Sequence, residues 1–168
     1  MAEANEVAVV KSSNTSESGS IITSDTVISG DVNSNSAIKV YGEVKGKVTS
    51  TKVVDIYGKV VGDISGETVN LIKGKINGNI QSKSKVKIDK DVILIGDVKA
   101  VDLEASGKIK GTIEVDNLVV LENTTVCEGS ITAALINIKT GAKIKGPITV
   151  FDADAKDFED IKVKTPKV

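Results

Sequence analysis

The phrase VYGEVKGKV, residues 40–48, returns sixteen residues later as IYGKVVGDI and sixteen after that as IKGKINGNI. Its second glycine recurs at Gly30, Gly46, Gly62, Gly78, Gly96, Gly111, Gly129 and Gly146, at intervals of 16, 16, 16, 18, 15, 18 and 17 residues. Two residues before each stands Ile28, Val44, Val60, Ile76, Leu94, Ile109, Cys127 or Ile144. Two residues after each stands Val32, Val48, Ile64, Ile80, Val98, Ile113, Ile131 or Ile148. A fixed-period repeat of this kind constrains the fold more than any single residue does.

Within one unit the parity is strict. Ile38, Val40, Gly42, Val44, Gly46 and Val48 alternate with Lys39, Tyr41, Glu43, Lys45 and Lys47. Period-two alternation is the mark of a strand with one buried face. Glycine on the apolar parity removes side-chain packing and lets the chain bend, so the glycines are expected at corners, pointing inward. No single unit can bury its aliphatic face alone, whereas stacked units bury a continuous column. At the usual strand spacing, eight such turns make a rod on the order of 35–40 Å long.

The inward residues Ile28, Val32, Ile38, Val44, Val48, Val54, Val60 and Ile64 advance in steps of 4, 6, 6, 4, 6, 6 and 4. The recurring step of four breaks the six-residue rule of left-handed hexapeptide helices. The expected fold is all-β: a single-stack right-handed parallel β-helix with 16–18 residues per turn and three short strands per turn. The expected organisation is a disordered arm over residues 1–20, with polar KSSNTSESGS at its end, the β-helix over 21–151, and a C-terminal cap and tail over 152–168.

Composition excludes much chemistry. The chain has 168 residues with 40% apolar and 2% aromatic content, so the core is built from Val, Ile and Leu. There are 22 basic residues, all lysine, against 23 acidic ones, and no histidine or tryptophan. Without histidine the commonest general base and transition-metal ligand are missing. Without arginine the planar phosphate clamp is missing. Near-neutral charge with few aromatics argues against nucleic-acid binding. The GEVKG-type phrases lack the Lys-Ser/Thr ending of a phosphate loop, so no nucleotide is expected. No cofactor is expected, and the carboxylates Asp152, Asp154, Glu159 and Asp160 lack the ligand order of a calcium loop. The start of the chain has neither a basic region nor a long apolar run of the secretory type, and no stretch is long enough to span a membrane. These features point to the cytoplasm.

The glycine phrases, with ASGKIKGTI beside the three quoted above, resemble those of the bactofilins over roughly residues 20–150. Two turns depart from the pattern, with Val92 and Thr125 where the first glycine would stand. The resemblance implies a cytoskeletal protein whose right-handed β-helical subunits join end to end into filaments without nucleotide. It implies scaffolding at the cytoplasmic membrane that affects cell shape, envelope synthesis or the placement of other proteins. An enzyme on a β-helix lacks its base here, and a secreted adhesin lacks its signal.

Physical reasoning points to polymerisation independently, because a stacked coil ends in unpaired strand edges that recruit another chain. The expected contact residues are Ile21, Ile22, Val27 and Ile28 at one end and Ile148, Val150, Phe151 and Phe158 at the other. Val7, Val9 and Val10 of the arm are candidates for shallow membrane contact multiplied along a filament, with Lys162, Lys164 and Lys167 adding attraction to anionic lipid. Tyr41 and Tyr57 are expected to stack as a surface pair, Glu43, Lys59 and Lys75 to form a solvated column, and Cys127 to be an inert core thiol.

Overall fold

The computed structural model describes residues 19–151, which hold twenty strands and no helix. The first turn comprises β1 (Gly19–Ile22), β2 (Val27–Ser29) and β3 (Val32–Ser34). The second comprises β4 (Ala37–Val40), β5 (Glu43–Lys45) and β6 (Val48–Ser50), and the third β7 (Val53–Ile56), β8 (Lys59–Val61) and β9 (Ile64–Gly66). The middle turns contain β10 (Thr68–Asn77), β11 (Ile80–Ser82), β12 (Lys85–Ile95), β13 (Val98–Ala105), β14 (Lys108–Lys110) and β15 (Ile113–Leu121). The chain closes with β16 (Val126–Glu128), β17 (Ile131–Ala133), β18 (Leu135–Ile138), β19 (Lys143–Lys145) and β20 (Ile148–Val150). Because Gly19 and Ser20 pair with Ala37 and Ile38, the coil begins two residues inside the segment read as an arm.

All pairings are parallel, and each joins a strand to its equivalent one turn on, which gives about eight turns and three faces. The first face runs β1, β4, β7, then the leading halves of β10 and β12, the trailing halves of β13 and β15, and β18. The second runs β2, β5, β8, the trailing halves of β10 and β12, then β14, β16 and β19. The third runs β3, β6, β9, β11, the leading halves of β13 and β15, β17 and β20. Three short strands per turn therefore describes the early and late turns. In the middle, β10, β12, β13 and β15 run through corners, and pairing absorbs the bend by register shifts at Leu71/Lys73 and Ala100/Asp102.

The inward parity is consumed by one aliphatic column. Ile38, Val54, Val69, Val86, Leu103 and Val119 stack on the first face, and Val44, Val60, Ile76, Leu94, Ile109 and Cys127 on the second, all buried. The glycines are corners, as read, but they do not point inward. At Gly62, φ is +143° and an added Cβ would fall 2.2 Å from the carbonyl oxygen of Gly46, one turn back. The missing side chain would lie along the stacking axis, where the preceding turn's backbone already sits. Glycine is required by axial approach and backbone conformation, not by lack of room in the core.

Corner length explains Val92 and Thr125. Where one residue links the first face to the column leading into the second, as Tyr57 does between Ile56 and Gly58, an added Cβ would fall 2.0 Å from the carbonyl oxygen of Gly42. Where three residues make that link, as in Asp89–Lys90–Asp91 and Glu122–Asn123–Thr124, the column position turns inward and holds a side chain. Val92 fills the core there, and buried Thr125 donates its hydroxyl to the carbonyl oxygen of Ala105 at 2.5 Å. Both eighteen-residue intervals contain such a long corner, and Lys139–Thr140–Gly141 makes another in the seventeen-residue interval that follows.

The other corners have their own polar devices. After the left-handed glycine, an Asp or Asn side chain accepts a backbone N–H from the next turn: Asp31 from Lys47 at 3.0 Å, Asp63 from Asn79 at 3.2 Å, Asn79 from Asp97 at 3.1 Å and Asp97 from Thr112 at 3.0 Å. Between the third and first faces, the buried Ser50 hydroxyl donates to the carbonyl oxygen of Ser36 at 2.7 Å and accepts from the Lys52 N–H at 2.9 Å. Ser82 repeats the arrangement with the carbonyl oxygen of Glu67 and the N–H of Ser84. Buried hydroxyls are thereby satisfied locally.

Candidate functional site

The two ends of the described coil differ. In the first turn the inward Ile22 and Ile28 are buried, Ile22 being 1% exposed, so only Ile21 and Val27 of that group present surface, and they do so sideways on the first and second faces. In the last turn Ile136, Ala142 and Ile144 are only partly buried, and three further inward residues are uncovered: Ile138 is 44%, Ile148 40% and Val150 56% exposed. Each registers over a buried residue of the turn before, Ile138 over Leu121, Ile148 over Ile131 and Val150 over Ala133. Their exposure therefore reflects the end of the stack among the described residues and not an outward orientation. Phe151, also exposed, donates its N–H to the carbonyl oxygen of Ala133 at 3.0 Å and sits on the rim of this surface. Phe158, Val7, Val9, Val10, the tail lysines and the paired carboxylates of 152–160 lie outside the described residues.

Magnitudes decide what such an end can do. Covering three half-exposed aliphatics yields about 1 kcal/mol each, or roughly 3 kcal/mol in all. Association of two chains costs about 4–15 kcal/mol in lost freedom. Apolar cover alone falls short, so backbone pairing along the edges of β18, β19 and β20 has to contribute to any stable junction.

Tyr41 and Tyr57 stack with ring centroids 4.5 Å apart and an interplanar angle of 11°. Burial, then the neighbouring Tyr41 and Asp55, raises the Tyr57 hydroxyl above its ordinary pKa. The pair stops at Tyr57 because the following turn enters the Leu71/Lys73 shift, placing Ile72 and Lys73 at that corner. Glu43 accepts from Lys59 at 3.2 Å and Lys45 at 3.3 Å, and those hydrogen bonds hold its carboxyl below the usual range. Cys127 is fully buried in the second-face column, and burial pushes its thiol up to about 11. A thiol in that state is a core group, not a nucleophile.

Two shallow grooves mark the sides. One, of about 520 Å³, follows the long corners and mixes Lys73, Lys87 and Lys90 with Asp89, Asp91 and Glu104. The other, of about 460 Å³, lies beside the Asn79–Asp97–Thr112 hydrogen-bond ladder. Neither gathers a nucleophile with a base. No cluster of three metal-ligating side chains occurs among the described residues. No helix among them is long and apolar enough to cross a membrane.

A family model described as "Bactofilin: Polymer-forming cytoskeletal" matches residues 20–91 and again 53–149. The chain belongs to the bactofilin family. The two matches overlap over 53–91, as expected when near-identical turns let one pattern align in two registers. No curated protein and no solved structure gives a significant match. This bactofilin is thus a member of a structural, polymer-forming cytoskeletal family, and its stacked coil is the form in which that membership is built.

Proposed function

We propose that this bactofilin assembles end to end, without nucleotide, into filaments that serve as a scaffold for cell shape, envelope synthesis or the positioning of other proteins. The observation that carries the reading is the uncovered last turn, where Ile138, Ile148 and Val150 continue the core column with no further turn above them among the described residues. Edge strands pair spontaneously once brought together, so no hydrolysis is required to drive growth. The role is structural rather than catalytic, the working compartment is the cytoplasm, and the side surfaces and terminal segments recruit partners. Val7, Val9 and Val10 add membrane contact in this reading, and Phe158 covers or extends the C-terminal junction.

The test is negative-stain electron microscopy of the purified chain in nucleotide-free buffer. Filaments about one coil wide are expected. Ile148→Asp and Phe151→Asp should retain the strand signal in circular dichroism while shortening or abolishing filaments. A parent protein that stays monomeric at high concentration overturns the reading, and unaltered filaments from both variants remove the last turn from the junction.

A further inference from the structure

The outward residues of the three faces are not equivalent. On the first face Lys39, Lys85 and Lys87 are balanced by Asp55, Asp102 and Glu104, with Glu104 lying 3.2 Å from Lys85 and 3.8 Å from Lys87. On the third face Lys99 pairs with Glu114 at 3.2 Å. The second face is different. Lys45 and Lys59 stand above its middle, Lys75, Lys108 and Lys110 at its middle, and Lys143 and Lys145 below, all exposed. Among the described residues only Glu43 and Glu128 oppose these seven lysines, with Asp91 beside Lys73 at the edge of the face. Among the described residues, Lys75, Lys108 and Lys143 have no carboxylate within salt-bridge distance.

The same face also gathers exposed aliphatic side chains. Ile93 and Ile95 point outward from the trailing half of β12, flanked by Lys75 in the strand above and Lys108 and Lys110 in the strand below. Val61 and Val27 lie on the same face nearer the N-terminal end. Away from the last turn, the only other large apolar side chains left exposed among the described residues are Ile21 and Tyr41.

We infer that this second face is a docking surface for an anionic lipid bilayer. An acidic soluble segment would neutralise the lysines but leave the isoleucines in water. A bilayer answers both, with lipid phosphates at the lysine heads and the interfacial layer around Ile93 and Ile95. Lysine suits this use, since its stem lies along apolar surface while its charge reaches the headgroups. The inference names a partner surface for the filament proposed above, and assembly repeats the face along the polymer so that weak contacts add.

The experiment is flotation of full-length protein with vesicles of phosphatidylcholine, with and without phosphatidylglycerol. Negative-stain microscopy of the same samples monitors filaments. The triple variant Lys75→Glu, Lys108→Glu, Lys110→Glu should lower binding to the anionic vesicles by about tenfold or more, since each basic residue near the surface contributes. The charge-matched first-face control Lys39→Glu, Lys85→Glu, Lys87→Glu should bind like the parent. Ile93→Ser with Ile95→Ser should weaken binding at unchanged charge. Equal loss in both lysine triples reduces the effect to net charge and overturns the assignment. So does binding that is lost on serine substitution of Val7, Val9 and Val10 but unaffected by the second-face variants. Competition by polyaspartate, with no effect of the isoleucine variants, would instead identify an acidic protein as the occupant. Filaments that form but do not float overturn the docking face alone, whereas the absence of filaments in the parent overturns the assembly reading.

Discussion

Gly62 and Gly66 lie four residues apart in the third turn, yet the same substitution should be costly at one and nearly neutral at the other. At Gly62 an alanine must adopt φ near +143° with its Cβ 2.2 Å from the Gly46 carbonyl oxygen. The backbone conformation alone costs roughly 1–3 kcal/mol. Relieving the contact means separating the second and third turns, which strains the bonds from Gly46 N–H to the Val61 carbonyl at 2.9 Å and from Val48 N–H to the Asp63 carbonyl at 2.8 Å. Weakening two such bonds adds about 1 kcal/mol each. Gly62→Ala should therefore lose about 3–5 kcal/mol, a large share of the roughly 5–15 kcal/mol typical of a folded domain. At Gly66 no left-handed conformation is present, and an added Cβ meets first a Val54 methyl at 3.0 Å. Neighbouring turns already hold Ser50 and Ser82 at that inward position. A methyl group can give by a few tenths of an ångström, and alanine also restricts the unfolded chain, so Gly66→Ala should stay within about 1 kcal/mol of the parent. Urea unfolding followed by far-ultraviolet circular dichroism at matched protein concentration measures both. Equal losses at the two sites would refute the argument from axial contact, because they would mean that a Cβ is resisted at corners in general.

The other expectations concern the core thiol and the last turn. Cys127 should resist alkylation in the folded chain and react only on unfolding, whereas Cys127→Val should fold normally, since Ile109 and Ile144 occupy the same column. Its pKa is raised on folding, so its contribution to stability is complete below about 9 and declines as pH climbs toward about 11, which pH-dependent urea titration of the parent against Cys127→Val reads directly. For the last turn, Ile148→Asp should raise the concentration needed for filament growth without lowering unfolding stability, because that side chain is already 40% exposed.

Much of this architecture was legible because two periods coincide. Alternation separated Val44 and Val60 from Lys45 and Lys59, and the sixteen-residue interval placed equivalent residues in adjacent turns. The left-handed glycines could be located but their direction could not, since a repeat reports where the chain turns and not which way a missing Cβ would have pointed. Val92 and Thr125 looked like departures until the three-residue corners before them were seen to swing those positions inward. The Asp and Asn ladder has a sequence signal of its own, the Gly-Asp or Gly-Asn pair at Gly30, Gly62, Gly78 and Gly96. The concentration of lysine and isoleucine on one face was hidden for a different reason. Intervals of 15 to 18 residues scatter a single column along the chain, and Glu43, Lys59 and Lys75 alone look like an ordinary solvated face. The unequal cover of the two ends depends on three-dimensional packing and has no counterpart in the repeat.

A solenoid of this kind separates its functions by residue position, and the separation has a directional consequence. In the proposed assembly inward residues and corner glycines hold the turn, the last turn offers the junction, and outward residues meet partners. Reversing Lys75, Lys108 and Lys110 alters a side face remote from the last turn, so filament length should not change. Blocking the junction with Phe151→Asp leaves the same lysines in place, yet each chain then presents one copy of the face. Because binding through a repeated weak surface depends on how many copies are joined, vesicle binding by that variant should fall steeply even though no residue of the face has changed. Filament length by microscopy and vesicle flotation, measured on both variants, test this one-way dependence. A Phe151→Asp protein that is monomeric but floats as well as the parent would show that a single second face suffices, and that assembly and docking are independent.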